Sequence, residues 1–130
     1  MLNQISGVFI DPENNIAEVR TIEHSLQGFY QLLRCDIIEM PERRLGDDRY
    51  FTFICDEEGL LKSNCYVSAL DPMGNAALVG PLFVVRYDGS SEVCSLSEEE
   101  ALRILSHVVN ALVVQHSMPR ITCMLYGIEY

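Results

Sequence analysis

Between Asp56 and Tyr66 the chain collects a carboxylate, an ammonium, an amide and a phenol, at Asp56, Lys62, Asn64 and Tyr66. Such a set offers a ligand charge, hydrogen bonds and a flat ring to stack on. It begins at an Asp-Glu-Glu-Gly turn, so the groups sit on irregular chain that can reach around a small molecule. If this chain binds a ligand, the polar segment opened by Asp56 is where the sequence places it.

Catalytic chemistry is harder to assemble. The histidines are His24, His107 and His116. On a continuous helix the last two would point about 180° apart at 3.6 residues per turn, so they could not hold one metal together. His116 near the end of such a helix would complement its dipole when protonated. The acidic groups Asp56, Glu57, Glu58 and Asp47, Asp48 lack the alternate ligand spacing and terminal glutamate of a calcium loop, and read as solvated turns. No serine lies in a nucleophile elbow, and no phosphate loop or dinucleotide glycine pattern occurs. The sequence therefore names no catalytic residue, no metal ligand and no cofactor, and points away from an enzyme.

The five cysteines, Cys35, Cys55, Cys65, Cys94 and Cys123, form no C-x-x-C pair and read as reduced, mostly buried thiols. Nine basic and nineteen acidic residues give a net charge of −10, which opposes ordinary binding to a nucleic-acid backbone. Lys62 is the single lysine, so contacts to anions would lean on arginine, with Arg43, Arg44 and Arg49 close together. A hydrophobic share of 48% with 22% charged residues is globular composition. Residues 1–130 are expected to form one domain. Met1 to Ile10 has neither the basic start nor the apolar run of a signal peptide, and the longest apolar stretches are too short to span a membrane.

The elements that must position these groups follow from periodicity. Ile5 to Ile10 and Ile16 to Ile22 read as a hairpin around Asp11, Pro12, Asn14 and Asn15. Ser25 to Leu33 has helical spacing at Leu26, Phe29, Tyr30 and Leu33, weakened by Gly28. Asp36 to Met40 is a brief strand, Glu42 to Asp48 a loop, and Tyr50 to Cys55 a strand with Phe51, Phe53 and Cys55 on one side. Gly59 is expected to supply a positive φ in the turn after Asp56. Leu60 to Leu70 is open between strand and short helix. Ala76 to Tyr87 is a strand bent, bulged or at an edge where Gly80 and Pro81 interrupt it, and Asp88 to Ser91 turns the chain.

Ser97 with Glu100 is a capping box, and the apolar face from Ala101 onward predicts a principal helix over Glu98 to Gln115, limited by Pro119. Ile121 to Ile128 is a last strand. The expected class is α+β: a small, mostly antiparallel sheet with two helices packed on one face.

The run Ile54-Cys55-Asp56-Glu57-Glu58-Gly59-Leu60-Leu61-Lys62 resembles that of the family catalogued as domain of unknown function 3846. The order of elements is similar too: a strand pair and helix come first, Ala76-Ala77-Leu78-Val79-Gly80-Pro81-Leu82-Phe83-Val84-Val85 resembles the family's apolar strand, and Ser95-Leu96-Ser97-Glu98-Glu99-Glu100 its closing helix start. The likeness covers roughly residues 1 to 115. The chain departs from it at Ser63, Asn64, Cys65 and Tyr66, where the family tends to a stretch containing proline and asparagine.

The resemblance implies a phage or mobile-element setting, and with it action in the cytoplasm of a bacterial host. In that setting the expected function is non-enzymatic binding, antagonising host defence by sequestering a small ligand such as a nucleotide signal, or a defence protein. The alternatives are acidic mimicry of DNA in the manner of an antirestriction protein, and a small hydrolase of a host signal. A plainer one is a structural partner protein, a homodimer built on an exposed sheet edge.

Overall fold

The computed structural model describes residues 3–46, 49–62, 66–87, 89, 92–115 and 117–129. Strands β1 (Gln4–Asp11) and β2 (Ile16–Glu23) form the expected antiparallel hairpin and lead into helix α1 (Leu26–Leu33). Then come β3 (Ile38–Glu39), β4 (Glu42–Leu45), β5 (Tyr50–Asp56), a 3-10 turn (Gly59–Leu61), β6 (Val67–Leu70), β7 (Ala76–Val79), β8 (Leu82–Tyr87) and β9 (Val93–Cys94). Helix α2 (Glu98–Leu105), β10 (Val108–Gln115), β11 (Met118–Tyr126) and β12 (Ile128–Glu129) complete the chain.

The strands make two sheets. The first runs β12-β4-β5-β8-β1-β2, with β3 added beside β5 and β9 beside β8; the second runs β10-β11-β6-β7. All pairings are antiparallel except that of β11 with β6, joined at Leu125↔Ala69 and Tyr126↔Leu70. The protein is thus mostly β, built from two sheets where the sequence led us to expect one.

Alternation along β1, β8 and β5 explains the core. Ile5, Phe9, Ile54, Phe83 and Val85 point to one face, where Phe29 and Leu33 of α1 cover them. Val8, Ile10, Phe51, Phe53, Cys55, Leu82 and Val84 point to the other, under Ala101 and Ile104 of α2 and Ala69 and Leu125 of the second sheet. The two helices therefore lie on opposite faces of the first sheet, a correction to the expectation that both pack on one. The reason is that the central strands are apolar on both sides, and each face must be buried. Each buried Phe, Leu or Ile contributes about 1.5–3 kcal/mol.

Helix α1 starts where Ser25 accepts a hydrogen bond from the Gly28 amide at 3.0 Å and ends at Arg34, which closes it in a left-handed conformation (φ 55). Gly28 is needed by contact: a Cβ there would collide with the backbone oxygen of Glu23. Helix α2 has the full capping box, with Ser97 Oγ accepting from Glu100 N at 3.1 Å and Glu100 Oε1 accepting from Ser97 N at 2.9 Å.

Helix α2 ends at Leu105, ten residues before the expected Gln115. From Val108 onward the chain is strand β10, which pairs with β11 along its whole length. Four valines, at 108, 109, 113 and 114, explain this, because branching at Cβ suits a pleated strand better than a helix. His107 consequently sits in the bend after α2, and His116 lies outside the described residues, so the two do not share a helix. Pro119 does not end a helix but lies within β11, opposite Val114.

Three further readings change. Glu42–Leu45 is strand β4 rather than loop, because main-chain pairing with β5 needs no apolar side chains; Asp47 and Asp48 fall outside the described residues. Gly59 does not take a positive φ; it is small because a Cβ would press on Val79 Cγ2 at 3.3 Å. The run Ala76 to Tyr87 is two strands in two sheets, and Gly80 (φ 78) with Pro81 carries the chain from one to the other. Of the stretch Leu60 to Leu70, the described residues are the end of the 3-10 turn and β6. Asp88 and Ser91, the ends of the turn after β8, lie outside the described residues.

Candidate functional site

Asp56 ends β5 with its side chain buried, and its Oδ1 accepts from the Glu58 amide at 2.9 Å, the local bond that makes an aspartate turn. The turn brings Lys62 back, and its Nζ lies 2.5 Å from Asp56 Oδ2 and donates to the Arg34 carbonyl at 3.3 Å. Asp56 thus holds the ammonium from behind, and its hydrogen bond raises the Lys62 pKa above the ordinary value. Two of the residues expected from sequence, Asp56 and Lys62, are directly joined.

Tyr66 is paired with Arg120 instead. Its ring lies under the Arg120 guanidinium, 5.2 Å from the centroid, and its hydroxyl accepts from Arg120 Nη1 at 3.3 Å. One face of the ring is therefore occupied by arginine, which removes it from ligand stacking. Arg120 Nη2 donates to the Glu13 carbonyl at 2.7 Å, tying the second sheet to the β1–β2 turn. Asn64 lies outside the described residues.

The sequence reading missed Asp11, Glu13 and Arg34. Asp11 is 1% exposed and accepts from both Arg34 terminal nitrogens, at 3.2 and 3.3 Å, and from Asn14 Nδ2 at 2.8 Å. Glu13 Oε2 lies 3.7 Å from the same guanidinium. The available signal was the Asp-Pro-Glu-Asn-Asn turn, dense in polar side chains but read only as a connection. Asn15 in that turn takes φ 54, and its Oδ1 accepts from the Cys123 amide at 2.9 Å, so the turn is docked on β11.

These groups border cavities that share walls. One of about 380 Å³ is lined by Glu13, Leu33, Arg34, Asp56, Gly59, Lys62, Gly80 and Pro81. On the far side of Arg34 a second, of about 420 Å³, is bordered by Asp11, Asn14, Arg20 and Gln31 among others. On the far side of Asp56 a third, of about 220 Å³, reaches Glu39, Cys55 and Leu78. The first has two cations, Arg34 and Lys62, each backed by a buried carboxylate, and lies where the hairpin turn, the end of α1 and the crossing between the sheets converge.

Thiol chemistry is suppressed nearby. Burial pushes Cys55 up to about 12, and the Glu39 carboxylate, 3.7 Å from the sulfur, adds to the rise. Burial also raises Cys35 and Cys123. Cys35, Cys55, Cys94 and Cys123 are free, and the first two and Cys123 are buried, as expected; Cys65 lies outside the described residues. Among the described residues no group of three or more His, Cys, Asp or Glu is arranged to hold a metal ion. No helix among them is long and apolar enough to cross a membrane.

Fold and site together define a mostly β protein with two sheets around a shared core and a charged cavity where they meet. The chain belongs to the family described as Domain of unknown function (DUF3846), whose profile matches residues 5–108. That span holds Asp11, Glu13, Arg34, Asp56, Lys62 and Tyr66, while Arg120 lies beyond it. Neither the curated proteins nor the solved structures include a match to the chain.

Proposed function

We propose that the protein is a non-enzymatic binding protein that captures a small anionic ligand, of the nucleotide class, between Arg34 and Lys62. The observation that carries this reading is the pairing of two half-exposed cations, 46% and 43% exposed, with carboxylates buried behind them at Asp11 and Asp56. A cation anchored from behind loses little freedom when an anion arrives in front, so binding costs less. The guanidinium N–H groups that Asp11 leaves open and the ammonium suit phosphate oxygens, and about 380 Å³ is within the range of small-ligand pockets.

Within a phage or mobile element, acting in the bacterial cytoplasm, such capture would withdraw a signal from host defence; sequestering a defence protein is the related reading. Acidic mimicry of DNA draws less support, because cations sit beside Glu18, Glu99, Glu100 and Glu129 as well as beside the site carboxylates. The test incubates purified protein with a panel of cyclic and linear nucleotides, measures the free ligand, then heats the complex. Depletion followed by recovery of intact nucleotide supports capture. Unchanged free ligand across the panel overturns it, and recovery of cleaved nucleotide replaces it with an enzyme.

A further inference from the structure

Strand β10 ends the second sheet, and among the described residues its ladder partner is β11 alone. Its sequence, Val-Val-Asn-Ala-Leu-Val-Val-Gln, contains no charge and no proline. Native edge strands are usually guarded by charges, prolines or bulges against pairing with another strand. In a chain of net charge −10, the β10–β11 hairpin from Val108 to Tyr126 has a single Asp, Glu, Lys or Arg, and that residue, Arg120, is turned to Tyr66 and Glu13. Leu112, Val114, Met118 and Ile121 are more than 60% exposed on the same hairpin.

The register says which backbone groups are open. Pro119 has no N–H to give, and it faces Val114, so that pair is of the non-hydrogen-bonded kind. By alternation Val108, Asn110, Leu112 and Val114 turn their N–H and C=O groups away from β11, to the open edge. These four residues are self-complementary. A two-fold axis through Ala111 sets Val108 against Val114 of a second strand and Asn110 against Leu112, and satisfies all the outward groups at once.

We propose that β10 is a homodimerisation edge, pairing antiparallel with β10 of a second copy so that one sheet runs through both chains. A second copy is the occupant that the register favours, because an antiparallel β10 answers every outward N–H with a C=O. Two chains of net charge −10 repel elsewhere, and this nearly uncharged hairpin lets them meet without bringing carboxylates together.

The test is amide exchange of the whole protein at low and high concentration, with the mass in solution measured in parallel. The amides of Asn110, Leu112 and Val114 should slow at least about tenfold at high concentration, equivalent to about 1.4 kcal/mol, while those of Val109, Ala111 and Val113 stay slow at both. The mass should double from 14.7 kDa. Leu112→Lys and Val114→Lys should each abolish the doubling. A wild-type protein that stays monomeric at high micromolar concentration, concentration-independent exchange at the three amides, or a dimer that persists in a folded Leu112→Lys protein would each overturn the proposal.

Discussion

Arg34 closes α1 in a left-handed conformation and places its guanidinium 3.2 Å from Asp11, a carboxylate 1% exposed at the end of β1. The helix end and the hairpin turn are thereby locked together, and the cavity between them takes its shape from that lock. Replacing Arg34 with Ala leaves a buried carboxylate without its charged partner, which costs about 1–3 kcal/mol. Chemical denaturation of Arg34→Ala should show this loss. Asp11→Asn with Arg34→Ala should recover part of it, since no buried charge is left unpaired.

Lys62 is held by Asp56, and the same ammonium faces the cavity. Lys62→Ala should weaken nucleotide capture by about tenfold or more, the worth of one charge-assisted contact, and should also cost about 1–3 kcal/mol of stability because it leaves the buried Asp56 carboxylate without its charged partner. Lys62→Arg should bind better than Lys62→Ala. Calorimetric titration of both variants against the nucleotide captured by the wild type checks the order.

Gly28 lies mid-helix, where glycine ordinarily costs about 1 kcal/mol relative to alanine. General propensity thus predicts that Gly28→Ala stabilises. The close approach of α1 to the Glu23 carbonyl predicts the opposite. Gly28→Ala should lower the melting temperature, and a rise would refute the tight packing of α1 against the end of β2.

Ser97 and Glu100 satisfy each other's amides at the start of α2, and Glu100 also lies 3.5 Å from Arg86. Ser97→Ala should cost about 1 kcal/mol, read as a fall of roughly 3–5 °C in melting temperature. Thermal unfolding followed by circular dichroism measures it.

The alkaline side of the stability profile draws on Cys35 and Cys123, which burial raises, as well as on Cys55 and Lys62. The last two have folded pKa values raised above their ordinary ones, Cys55 from 9.0 to about 12 and Lys62 upward from 10.5. A raised value means that the folded state holds the proton more tightly, so the contribution is complete below the ordinary value and is lost as pH rises through the folded one. Stability should therefore fall from about pH 9 toward pH 12 through Cys55. Cys55→Ala should flatten that limb of a pH series of denaturant midpoints. At pH 8 a thiol reagent should label half-buried Cys94 well before Cys55.

What the sequence determined by itself was local. The β1–β2 hairpin, the Ser25 and Ser97 helix starts, the alternation of Phe51, Phe53 and Cys55, and the turn over Asp56 to Gly59 follow from caps, turn residues and period. Those rules act over a few positions.

Tertiary structure decided the rest. An apolar run such as Ala101 to Val114 satisfies helix and strand patterns alike, and only the presence of β11 as a partner makes its second half a strand. The faces taken by α1 and α2 depended on central strands buried from both sides, which no single helix pattern reveals. The ion pair of Arg34 with Asp11 spans 23 residues, the Lys62 bond to Arg34 spans 28 and the Arg120 bond to Glu13 spans 107. Contacts at such separations leave no periodic trace, because they are set by which sheet edges meet in space.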